Sequence, residues 1–351
     1  MKTINILLAI TLAVVLAFSG CGNSSSKIKI NEVTHSIFYA PLYIAINNGY
    51  FEDENIDIEL VNGGGSDKSM TALISGQAQV ALLGPETAVY VAAQGSTEQP
   101  IIFGQLTKRD GTLLIGRTAE PDFDWSNLAG KEILGGRRGG MPAMTLQYVL
   151  NQNGVGQTAD VNLDVAFDMM VSAFENGTGD YCTMFEPTAS DYIATGKGFK
   201  VASIGQESGE VPYTAFMAKS SWLEKHSDKA ESFLTAVMKG YNFLMNESVE
   251  DVVDSLMPSF TGSTRTSIEN AVISYKLIDA WVDTPAMKES AYQNLLNIIR
   301  DAGELTENVP FNKVVDNTIA NKVSLKFASW LNKKDAFSVF FICYIMTYQY
   351  Q

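Results

Sequence analysis

Cysteine and histidine are scarce in this chain. Only Cys21, Cys182 and Cys343 occur among 351 residues, far apart and without a C-x-x-C pair. Neither a disulfide framework nor a cysteine-based zinc site is indicated. The two histidines, His35 and His226, are too few for a histidine metal site, and neither a metal nor a cofactor is expected. Basic residues are also short: 25 Lys and Arg stand against 39 Asp and Glu, a formal net charge of −14. That sign opposes contact with a phosphate backbone, so nucleic acid is not an expected partner. No apolar run reaches the roughly 20 residues that a membrane-spanning helix needs. Catalytic signatures are missing too. Gly135–Gly140 is not followed by Gly-Lys-Ser/Thr and lacks Gly-x-Gly-x-x-Gly spacing. No Gly-x-Ser-x-Gly elbow with a matching triad is present.

What remains is a globular composition, 46% hydrophobic and 18% charged, enough core material for two lobes of about 100–200 residues each. The N-terminus reads as an export segment. Lys2 supplies a thin positive region, and Ile4 to Phe18 is almost wholly apolar, the length of a signal-peptide core. Phe18-Ser19-Gly20-Cys21 then resembles the bacterial lipobox, in which the cysteine is acylated and the chain is cut before it. Residues 1–20 are therefore expected to be a signal peptide. Cys21 is the expected lipidation site, and residues 21–26 a flexible tether. Cleavage near Gly20 with a free Cys21 is the alternative.

From Lys27 onward, strand and helix signals alternate. Strands are expected at Lys27–Val33, Ile56–Val61, Val80–Leu83 and Ile101–Leu106. Helices are expected at Pro41–Asn48, from a cap at Ser66 or Asp67 to Ser75, and from Pro85 to Gly95. The rhythm resumes with strands at Glu132–Leu134, Val161–Val165, Tyr181–Phe185, Lys200–Ile204 and Tyr213–Lys219. Helices at Pro142–Gln152, Asp168–Phe174 and Thr188–Ala194 lie between them. From Trp222 to about Asp301 the pattern is mainly helical. Single helices between strands imply parallel sheets covered on both faces. Residues 323–351 form an atypical tail with no clear helical continuation, and Ala336–Thr347 within it is densely apolar.

Four stretches carry a resemblance. They are Phe38–Leu60, with A-P-L-Y-I-A-I-N-N-G-Y-F-E-D-E-N; Ala72–Pro85, with A-L-I-S-G-Q-A-Q-V-A-L-L-G-P; Gln105–Arg117; and Gly135–Gly154. Together they resemble the substrate-binding proteins of ABC importers of the nitrate, sulfonate, taurine and thiamine-pyrimidine-precursor type, over about Lys27 to Lys322. Asn55 stands where that family usually has Gly, and Asn tolerates the same left-handed turn. Gln79 stands where Asp is common. The resemblance implies an α/β periodic pattern of known kind: a periplasmic-binding-protein type II fold, two doubly wound α/β lobes around a ligand cleft. Lobe 1 would comprise 27–111 plus 219–322. Lobe 2, with the crossing segments, would comprise 112–218. One enzyme branch of the wider family carries a cysteine-rich motif. Cys182 stands alone here, which disfavours that branch.

Ligands of open α/β sheets sit beyond the carboxyl ends of strands. The loops at those ends nominate His35, Ser36, Phe38, Tyr39, Gly64, Ser66, Gly84, Glu86, Thr107, Lys108 and Arg109. From the other lobe come Arg137, Gly139, Met141, Phe185, Glu186 and Tyr213. Helix N-termini with Arg suit an anion; aromatics with carboxylates suit a nitrogen heterocycle. Arg137 and Arg138 cannot both point inward from one loop. The expected function is capture of a small organic solute, either a pyrimidine-type heterocycle or a sulfonate- or nitrate-like anion. Delivery to an ABC permease would follow, by a monomer held at the outer membrane face through its lipid. The balance tips to the heterocycle, because Glu86 and Glu186 would repel an anion. Two other classes stay open. One is an extracytoplasmic enzyme using His35, Glu86 and Glu186; the other is a surface interaction lipoprotein with a shallow, empty cleft.

Overall fold

The computed structural model describes residues 27–329. The expected signal peptide, Cys21, the tether and Ala336–Thr347 lie outside the described residues.

Two five-stranded sheets organise the chain. The first is built from β1 (Ile28–Glu32), β2 (Ile58–Asn62), β3 (Val80–Leu83), β4 (Pro100–Thr107) and β10 (Thr214–Lys219), in the order β2-β1-β3-β10-β4. The second is built from β5 (Thr112–Gly116), β6 (Glu132–Leu134), β7 (Asp160–Asn162), β8 (Tyr181–Phe185) and β9 (Phe199–Ser203), in the order β7-β6-β8-β5-β9. Each sheet is parallel except for one strand. β10 runs antiparallel between β3 and β4, and β5 runs antiparallel between β8 and β9. The chain thus passes between sheets twice, at residues 108–111 and again at residues 204–213. The result is the two-lobed α/β architecture expected from the sequence.

Local chemistry explains most elements. β3 and β5 are buried along their whole length, as expected for strands covered on both faces. In β5, Leu113 and Ile115 pack into one apolar cluster with Leu134, Cys182 and Met184. Leu114, between them, packs into the cluster on the opposite face with Leu146 and Val149. This is the period-2 alternation of a strand. The helix Ala40–Asn47 begins with Pro in its first turn, and Gly49 follows at φ +74. Asn55 adopts φ 58, keeping the left-handed turn. The long helix Ser227–Asn246 packs on Ala40–Asn47, and Gly240 permits the approach: a Cβ there would lie 2.0 Å from the Pro41 carbonyl oxygen.

Three local expectations shift. Gly65, not Ser66 or Asp67, is the N-cap of the helix Ser66–Ile74, and no side chain caps it. β7 is shorter than expected and ends at Asn162. Regular structure also continues past residue 322, because a helix covers residues 318–329. Val323 is buried there, and Ser324 Oγ lies 2.6 Å from Thr284 Oγ1. Among the described residues, no helix is long and apolar enough to cross a membrane.

The crossing at residues 108–111 is pinned by Asp110, which is fully buried. Its carboxylate accepts hydrogen bonds from Thr112 N and Thr112 Oγ1, each at 2.6 Å, and from Thr145 Oγ1. Thr145 belongs to the helix Met141–Gln152. Burial raises the Asp110 pKa to about 6, with the threonine donors opposing the rise. Gly205 of the return segment packs directly on the Asp110 carbonyl. The two crossings therefore meet at one tightly packed point.

Candidate functional site

A cleft of about 820 Å³, counted to its open mouth, lies between the lobes. The first lobe contributes the end of β1, the glycine loop after β2 and the turn after β3. The second contributes the loop after β6, residues 166–168 after β7, and Phe185 at the end of β8. Tyr213 and Thr214 of the return crossing close the floor. The walls are thus strand carboxyl ends and helix starts, as open α/β sheets dictate.

Nine nominated residues line this cleft: Tyr39, Gly64, Ser66, Gly84, Glu86, Arg137, Met141, Phe185 and Tyr213. The other eight lie elsewhere. Phe38 is fully buried among the rings of Tyr39, Phe185, Tyr213 and Tyr275, at centroid distances of 5.1–5.8 Å. Ser36 is buried beneath the cleft and donates to the Glu186 carbonyl across the lobes at 2.5 Å. Thr107 Oγ1 pairs with Thr214 Oγ1 at 2.6 Å. Lys108 forms an ion pair with Asp279 at 2.8 Å, and Arg109 has its Nε buried without a partner among the described residues. Gly139 lines a separate recess, and its carbonyl accepts from Tyr90 Oη at 3.0 Å. Arg138 is exposed and faces that recess, so the two arginines do separate.

Glu186 does not line the cleft; it lines a separate groove with residues of the helices Thr188–Ala194 and Arg265–Leu277. Its carboxylate accepts from Ser190 N at 2.9 Å and Ser190 Oγ at 3.0 Å. Burial holds its pKa above the usual range. His35 sits at the rim of an adjoining recess. Its Nδ1 lies 2.9 Å from Glu32 Oε1 and its Nε2 lies 2.8 Å from the Ser259 carbonyl. A carboxylate and a carbonyl both accept, so these contacts favour a doubly protonated imidazolium.

Glu86 dominates the chemistry of the cleft. It is 1% exposed, and its Oε2 has no hydrogen-bond partner among the described residues. The carboxyl folds over Gly84, where a Cβ would lie 2.0 Å from Oε2. Only glycine leaves that space. Burial lifts the Glu86 pKa to about 8; its own amide, Arg137 and the Met141 amide oppose the rise. At neutral pH it is therefore a neutral acid, with one O–H donor and one acceptor. Burial also holds the Tyr39 and Tyr213 hydroxyls neutral. Tyr213 Oη lies beside Asp110 but outside hydrogen-bond geometry with it.

The remaining charges balance. Two cations, Arg137 and Lys68, and two anions, Asp67 and Asp168, line the cleft. Arg137 Nη1 lies 3.5 Å from Asp67 Oδ1, joining the two lobes across the mouth. Asp67, Lys68, Phe167 and Asp168 were not among the nominated site residues. Phe167 and Asp168 lie in the segment after β7, and the rule that ligands sit after strands reaches them from the observed end at Asn162 and equally from the expected end at Val165. Among the described residues, no group of three or more His, Cys, Asp or Glu side chains could hold a metal ion.

Residues 37–250 match the family described as NMT1/THI5 like. The chain belongs to this family. YtlA of Bacillus subtilis (strain 168), whose name marks it as a binding protein, is 42% identical over 301 residues, covering 85% of this chain and 90% of YtlA. Two solved structures are similar in fold. The periplasmic nitrate-binding protein NrtA from Synechocystis PCC 6803 has a TM-score of 0.69 at 16% identity, covering 86% of this chain and 89% of NrtA. The alkanesulfonate-binding protein SsuA from Xanthomonas axonopodis pv. citri, bound to MOPS, also has a TM-score of 0.69, at 14% identity, covering 84% of this chain and 99% of SsuA. The fold of this NMT1/THI5-like chain is that of the periplasmic binding proteins. The resemblance to solute-binding proteins of ABC importers, read from the four stretches, stands.

Proposed function

We propose that this chain is the extracytoplasmic solute receptor of an ABC importer, and that its solute is a small, uncharged nitrogen heterocycle of pyrimidine type. One observation carries the choice of solute: the Glu86 carboxyl is buried in the cleft, with Oε2 unpartnered among the described residues, and burial pushes its pKa up to about 8, which favours the protonated form at pH 7. A neutral acid presents a donor and an acceptor side by side, which matches a ring nitrogen beside an N–H group. Tyr39, Phe185 and Tyr213 supply flat apolar walls for the ring. A sulfonate or nitrate fits less well, because the other lining charges already cancel. The solute would favour closure through contacts to both lobes, and the closed form would dock on its permease.

The enzyme reading loses support from the same geometry. His35, Glu86 and Glu186 do not share one site, and both ring nitrogens of His35 are engaged. The reading without a solute calls for a shallow cleft, whereas this one is lined from both lobes and contains the buried Glu86 carboxyl. A lobe division of 27–111 plus 214–322 and 112–213, which groups β10 with the sheet it pairs in where the sequence suggested a boundary at 218, the monomeric state, and the acylation of Cys21 belong to this proposal. Labelled-lipid incorporation lost in Cys21→Ala tests the anchor.

Native mass spectrometry of the purified protein tests the solute, followed by calorimetry with thiamine pyrimidines, riboflavin, taurine, alkanesulfonates and nitrate. Binding of a pyrimidine, lost in Glu86→Ala, is the expected result. A protein that binds only the anions, or none of these, would sink the proposal.

A further inference from the structure

We propose that Asp67 sets the charge selectivity of the cleft by occupying Arg137 from the opposite lobe. This rests on the solute-receptor reading above and deepens it. Asp67 lies in the first turn of the helix Ser66–Ile74, and Arg137 lies in the loop between β6 and the helix Met141–Gln152. Both line the cleft, and they meet across its mouth at 3.5 Å. Arg137 is also the cation that acts on Glu86. An incoming oxyanion would seek this guanidinium, because its fork of N–H donors can meet two oxygens at once, whereas Lys68 in the cleft lining is a point charge. Asp67 already holds it. The carboxylate of Asp67 therefore acts as a resident stand-in for an anionic solute, and an anion must displace it before it binds.

The pair has a second effect. Its partners belong to different lobes, so it draws the mouth shut without a solute. Their side chains are 43% and 57% exposed, so water and salt screen the attraction. Such pairs shift an equilibrium by about fivefold at most. A latch of this strength biases closure without trapping the solute. Uncharged solutes make no demand on Arg137 and pass without breaking more than this contact.

The test uses the full chain with Cys21→Ser and Cys343→Ser, leaving the buried Cys182 in place. Nitroxide labels at Gln77→Cys and Ser172→Cys, exposed positions on the two lobes, report the interlobe distance by pulsed electron resonance. Calorimetry with ethanesulfonate and with 4-aminopyrimidine reports binding. In Asp67→Asn, affinity for ethanesulfonate relative to that for 4-aminopyrimidine should rise by about fivefold at low salt, the lost latch lowering both affinities alike. Arg137→Gln should lengthen the distance as Asp67→Asn does, yet gain no ethanesulfonate affinity. The exchanged pair Asp67→Arg with Arg137→Asp should restore the short distance. An unchanged ratio of ethanesulfonate to 4-aminopyrimidine affinity in Asp67→Asn, or a distance insensitive to both single substitutions, overturns the proposal. A failure of the receptor reading looks different: 4-aminopyrimidine and every other heterocycle fail to bind wild type, while the distances still decide the latch.

Discussion

Glu86→Gln should stabilise the protein, and by an amount that grows with pH. The carboxyl has an ordinary value of 4.5 and is lifted to about 8 by burial. In the unfolded chain it ionises above 4.5; in the folded chain it stays protonated until about pH 8. Stability is therefore intact below 4.5, falls as pH rises through the gap, and levels off above 8. At roughly 1.4 kcal/mol per pH unit, the ceiling is about 5 kcal/mol, and the cost at pH 7 is about 3 kcal/mol. Glutamine keeps the shape and an acceptor for the Met141 amide but cannot ionise. Urea unfolding followed by tryptophan fluorescence at pH 5, 6, 7 and 8 measures the difference. The two proteins should agree within about 1 kcal/mol at pH 5 and separate by about 3 kcal/mol at pH 7. A difference that is constant with pH, or that grows toward acid, would show that Glu86 is ionised in the folded state. The solute assignment would then lose its main support.

The other predictions concern structure around the cleft. Burial alone would lower the His35 pKa, but the Glu32 carboxylate and the Ser259 carbonyl overcome this and hold it above 6.5; its contribution to stability is full below 6.5 and lost as pH rises through the raised value. Thermal melts between pH 6 and 8 should show that His35→Gln removes this component, and the imidazole should titrate above 6.5 by NMR. Gly240→Ala should cost about 1–3 kcal/mol or more, because its Cβ meets backbone at Pro41, whereas Gly262→Ala, with open space around it, should leave the melting temperature near that of wild type. Asp110→Asn should cost about 1–3 kcal/mol in urea unfolding, since an amide cannot accept all three donors; a neutral result would mean that the crossing is not pinned there.

Much of the fold was legible because its signals are local. The order of strands and helices follows from apolar spacing and from turn residues such as Gly49 and Asn55. β5 was harder. Thr112–Gly116 carries no alternation, because both of its faces are covered, and it stood out only as part of a family stretch. The early end of β7 at Asn162 was likewise invisible.

The sequence by itself determined the class of the molecule: two α/β halves, acidic, with polar and glycine-rich loops at the strand ends. Those properties reside in short-range periodicity and composition. Tertiary structure decided which loop residues face one another. Phe38 and Tyr39 are neighbours in sequence, yet Phe38 is sealed in an aromatic cluster while Tyr39 lines the cleft. Glu86 and Glu186 looked equivalent, yet Gly84 makes room for one carboxyl in the cleft, while Ser190 holds the other in a separate groove. The pairing of Asp67 with Arg137 joins residues seventy positions apart on different lobes. Facing and charge balance of this kind depend on how the two sheets are set against each other, and residue spacing along one segment carries no record of that.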